Sequence, residues 1–84
     1  MMNFKLPMEQ PVKDFIERTG CTPEDILRHA HDIYEWMEAK GLESDSMYRE
    51  QIFTWASEKL GVDYDVFYLT WRKKKPYYIL KGKE

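Results

Sequence analysis

Residues 22–41 read TPEDILRHAHDIYEWMEAKG, and this stretch sets the fold class. Thr22 is a good N-cap, Pro23 suits the first helical position, and Glu24 and Asp25 meet the positive end of the helix dipole. Ile26, Leu27, Ala30, Ile33, Tyr34 and Met37 then recur at three- and four-residue steps, the signature of one apolar helix face. Gly41 supplies a left-handed stop. The spacing predicts a single helix from Thr22 to Gly41.

Helical periodicity continues on both sides. Upstream, residues 10–20 (QPVKDFIERTG) form a brief helix, with Pro11 in the first turn, Val12, Phe15 and Ile16 on one stripe, and Gly20 just past the end. Downstream, a helix from about residue 45 to 60 carries Tyr48, Ile52, Trp55, Ala56 and Leu60, widened by Phe53, and Gly61 ends it. So broad a stripe implies more than one packing neighbour, which places this helix at the centre of the core.

Residues 62–75 (VDYDVFYLTWRKKK) fit two patterns. As a helix, the segment is capped by Asp63 and puts Tyr64, Phe67, Tyr68 and Trp71 on one face. As a strand, its Val, Phe, Tyr, Thr and Trp suit a pleat, with RKKKP as the loop of a hairpin. The helix fits better, because Asp63 and Asp65 stand where a first turn favours acids. The closing PYYILKG reads as extended, and it could pair with the opening NFKL in a short two-stranded ribbon. The expected fold is therefore mainly α: a small bundle of three to four helices, with that ribbon from the termini as an optional addition.

Eighty-four residues suit one domain, 1–84, with little room for a deep catalytic cavity. Apolar residues at 43% and charged ones at 33% describe a globular chain, not a disordered one. No uncharged apolar run approaches the roughly 18 residues of a membrane span, and the opening lacks the pattern of a signal peptide. Cys21 is the single cysteine, so no internal disulfide forms. The expectation is a cytoplasmic protein with no membrane partner and no cofactor.

Charge is segregated along the chain. Residues 1–63 carry seven Lys or Arg against thirteen Asp or Glu, whereas residues 64–84 carry six against two. The basic end is also aromatic, with Tyr64, Phe67, Tyr68, Trp71, Tyr77 and Tyr78. Opposite-signed halves point to an acidic partner such as nucleic acid.

Residues 53–75 (FTWASEKLGVDYDVFYLTWRKKK) carry a more specific pattern. Ser57 stands four before Gly61, Ala56 and Leu60 face inward, Val62 follows the turn glycine, and Phe67 lies six beyond it. This segment resembles the helix-turn-helix of DNA-binding regulators. The resemblance implies a supporting helix at 45–60 and a groove-entering one at 63–75. It implies phosphate contacts from Arg72, Lys73, Lys74, Lys75 and Lys81, with Tyr64 and Tyr68 toward a groove and Phe67 and Trp71 in the core. Thr70 and the acidic pair Asp63/Asp65 depart from the usual pattern, because that first turn normally reads bases.

Other chemistry is poorly represented. His29 and His31 are two apart, which on a helix directs them away from each other and opposes a shared metal. Cys21 with either histidine has the residue types of a thiol nucleophile and base, but no third orienting group. The four glycines stand far apart, so no phosphate loop exists. No catalytic or metal site is expected.

The partners expected are therefore nucleic acid (duplex DNA first, single strands second) or another protein. A protein partner would use exposed aromatic side chains, and the same patch could support a homodimer. Trp36, on an otherwise polar helix face, is either covered by the first helix or left out as a protein-binding anchor.

Overall fold

The structure is a computed structural model and describes residues 8–75. Within them lie five helices: α1 (Gln10–Thr19), α2 (Pro23–Arg28), α3 (Ile33–Ala39), α4 (Ser46–Leu60) and α5 (Tyr64–Lys73). The mainly α bundle is as the sequence implies, and no strand occurs among the described residues. The ribbon expected from NFKL and PYYILKG lies outside them.

α1 takes Pro11 in its first turn, buries Val12 and Phe15, and ends on Gly20 at φ 63°. Two long-range bonds fasten it. The Glu9 backbone N–H donates to Gln51 Oε1 of α4 (3.0 Å), and Arg18 Nη1 donates to the Lys40 carbonyl (2.7 Å) at the end of α3.

The predicted helix over 22–41 is interrupted. α2 begins with a capping box: Thr22 accepts from the Asp25 backbone N–H, and the Asp25 carboxylate accepts from the Thr22 N–H. The chain then tightens into a 3-10 turn, Ala30–Asp32, before α3 resumes. His and Asp are weak helix formers, so His29-Ala-His-Asp32 yields locally. The bend gives α5 its seat, because α5 packs on this turn and on α4. Ala30, fully buried at the turn, is small enough to allow the approach. One expected helix thus becomes two, which raises the count from three or four to five.

α4 is central, as its wide stripe implies, and packs against α1, α2 and α5. Asp45 caps it by accepting from the Met47 N–H (2.7 Å). Ile52, Phe53 and Ala56 are fully buried, and they join Val12, Phe15, Ile26, Ile33, Met37 and Phe67 in one core. α4 also buries three polar residues that the predicted apolar stripe does not include, Arg49, Gln51 and Ser57. Gly61 closes α4 at φ 68°, its N–H and that of Val62 both reaching the Ser57 carbonyl.

Residues 64–73 are helical, which settles the choice between helix and strand. Asp63 occupies the N-cap position but makes no side-chain capping bond. Thr70, unusual for a buried site, is satisfied by donating its hydroxyl to the Val66 carbonyl (2.6 Å).

Candidate nucleic-acid interface on α5

The two sides of α5 are divided by the core. Phe67 and Thr70 are fully buried, and Tyr64 and Trp71 are half-buried beside them. The outward stripe is Asp65, Tyr68, Leu69, Arg72 and Lys73, all exposed. Tyr68 at 37% and Leu69 at 48% put apolar surface in the middle of that stripe.

Cations gather at the end of the helix. Arg72, Lys73, Lys74 and Lys75 are exposed. Lys74 adopts the left-handed conformation (φ 58°) and closes the helix through its N–H to the Trp71 carbonyl. Its ammonium lies 5.9 Å from the Trp71 ring centre. None of the four is paired with a carboxylate among the described residues. The acids Asp63 and Asp65 stand at the opposite end of α5. The helix is therefore polar along its axis, negative at its start and positive at its close.

The expected site residues divide accordingly. Tyr68, Arg72, Lys73, Lys74 and Lys75 are each exposed. Tyr64 turns partly inward, with its ring 6.1 Å from that of Phe53. Burial pushes the Tyr64 hydroxyl pKa up, and the neighbouring Arg49 charge opposes that shift. Trp36 is half-buried, edge-on to Phe15 of α1 (5.7 Å) and stacked on His29 (5.2 Å), which is the covered arrangement. Lys81 lies outside the described residues.

Arg49 is the residue whose importance the sequence reading missed. It is only 5% exposed, on α4, with its guanidinium 4.1 Å from the Trp71 ring centre, 5.7 Å from Phe53 and 6.0 Å from Tyr68. Its Nε donates to the Tyr34 hydroxyl (3.3 Å), and Glu50 Oε2 is 3.8 Å from Nη2. Nη1 is buried and has no acceptor. Burying a charge is costly unless it is paired, and cation–π contact with desolvated rings returns only about 2 kcal/mol. A signal was present: Arg49 precedes Ile52, Phe53 and Ala56 at three-, four- and seven-residue steps, so it lies on their stripe.

The 3-10 turn changes the relation between the histidines. With the helix broken, His29 Nδ1 (3.4 Å) and His31 Nε2 (3.7 Å) both approach Asp32 Oδ1, although residues two apart on a continuous helix would diverge. Among the described residues no group of three or more His, Cys, Asp or Glu is arranged to hold a metal ion. The Cys21 thiol is half-buried, and burial, the largest influence on it, raises its pKa above the ordinary 9.0. That favours the thiol over the reactive thiolate. Among the described residues no helix is long and apolar enough to cross a membrane. Comparison with protein-family models, curated proteins and solved structures finds no match to this chain.

Proposed function

We propose that the protein is a non-enzymatic nucleic-acid-binding module of the helix-turn-helix kind used in transcription regulation, and that it presents the outward face of α5 to duplex DNA. One observation carries this reading. The cations at the end of α5 are exposed and unpaired with carboxylates among the described residues, on a helix whose opposite side is committed to the core. Asp63 and Asp65 would repel phosphates, so α5 approaches with its C-terminal end toward the backbone and its first turn held away. Such a pose favours affinity over base reading.

The test is binding of a labelled duplex, followed by anisotropy across a salt series. Wild type should bind at low salt and weaken steeply as salt rises. Replacing Lys73, Lys74 and Lys75 together by Gln should flatten the slope of log K against log salt by about 0.9 for each phosphate the protein ceases to neutralise. Absence of duplex binding at low salt, or a slope untouched by the triple substitution, would refute the reading.

A second reading has its own support. Tyr68 and Leu69 are exposed side by side on α5, and apolar surface of this kind also serves protein partners. Partner capture with and without nuclease separates the two, since a nucleic-acid partner disappears on digestion and a protein partner does not.

A further inference from the structure

Arg49 has more charge than its surroundings satisfy. The guanidinium is buried, and its Nη1 has no acceptor. The Glu50 carboxylate is 47% exposed and stands 3.8 Å from Nη2, too far for a close ion pair. The remaining contacts are the Tyr34 and Tyr64 hydroxyls and aromatic faces, which attract a cation without neutralising it. A second cation, Lys74, lies near the same Trp71 ring. Two positive groups about one ring, with an unused N–H between the helices, make a receptor for an oxyanion.

The way in is marked by exposure. Of the three rings against the guanidinium, Phe53 is buried, Trp71 is half-buried and Tyr68 alone is exposed. Tyr68 lies on the outward face of α5 at 37% exposure, and exposed side chains change rotamer quickly. Turning it aside would open the Arg49 guanidinium to an incoming group from the exposed face of α5.

We propose that Arg49, walled by Tyr68 and Trp71 and aided by Lys74, is the seat for one phosphate group delivered to the α5 surface. This rests on the nucleic-acid reading and deepens it. The exposed lysines attract the backbone, and Arg49 takes a single phosphate into a partly dry site where a charge-assisted hydrogen bond is strongest. The same chemistry would accept free phosphate, so the source is decided by experiment.

The test follows the Arg49 side-chain N–H signals by NMR, in the full chain, during separate titrations with a short duplex, inorganic phosphate and an acidic peptide. Arg49→Lys and Arg49→Met are titrated alongside, with thermal melting to confirm that each is folded. The expected result is that the Arg49 guanidinium signals move with duplex. Arg49→Met should lower duplex affinity by about tenfold or more, with Arg49→Lys intermediate. If phosphate moves the signals and duplex does not bind, the seat stands for free phosphate and the nucleic-acid reading fails. If duplex shifts the α5 amides while the guanidinium signals stay fixed, the seat is wrong and the nucleic-acid reading survives. Movement with the acidic peptide alone would also overturn the phosphate assignment. Should Arg49→Met fail to fold, the wild-type guanidinium signals decide by themselves.

Discussion

Asp25 shows how much a single side chain can do. The Thr22 N–H, its strongest influence, holds the Asp25 carboxylate below its ordinary pKa of 3.8, against the opposing effect of burial. The folded form therefore takes up a proton less readily than the unfolded chain. Stability from this box is complete above pH 3.8 and is lost as pH falls through the depressed folded value. Thr22→Ala should cost about 1 kcal/mol at neutral pH by denaturant melts. The deficit of Asp25→Asn should shrink toward nothing in acid; a deficit constant with pH would contradict this assignment. The cap was legible from TPED alone, since its residues act on their own backbone. Arg49 was legible only in its spacing on the inward stripe, because the packing of α5 is what tells a buried guanidinium from an exposed one.

At the scale of elements, α5 divides into a face that holds the bundle together and a face that does not. Phe67→Ala removes a fully buried ring and should cost about 3–5 kcal/mol, enough to threaten so small a fold. Leu69→Ala, two residues on but nearly half exposed, should stay within about 0.5 kcal/mol. Thermal melts of the pair check the division, and equal losses would refute it. The turn before α5 allows a similarly direct expectation. Gly61 stands at φ 68° with nothing within 4 Å of an added methyl, so Gly61→Ala meets no clash. Its cost should be the left-handed strain alone, about 1 kcal/mol, measured by chemical denaturation. A loss several times larger would mean that the α4–α5 turn is shaped by something other than glycine. Helix ends at Gly20 and Gly61 were readable because glycine acts locally. The break at Ala30–Asp32 was not, since periodicity runs through it unchanged: Ile26, Ala30, Ile33 and Met37 remain inward on both sides. The bend matters for the seating of α5, a contact between segments more than thirty residues apart in sequence that local pattern does not reveal.

The whole molecule is an acidic body with a basic extremity. This separation, plain from the sequence, gives α5 its electrostatic direction and predicts an association that salt suppresses. The partner was less legible, because exposed cations near aromatic rings serve several kinds of ligand and local pattern does not choose among them. The surface used for binding is the most direct discriminator. Amide shifts should be mapped by NMR as a short duplex is added at low salt. The expected result is that the shifts cluster from Tyr68 to Lys75, with α1 and Trp36 silent. Shifts confined to α1 and the Trp36 side, or none at any duplex concentration, would contradict it.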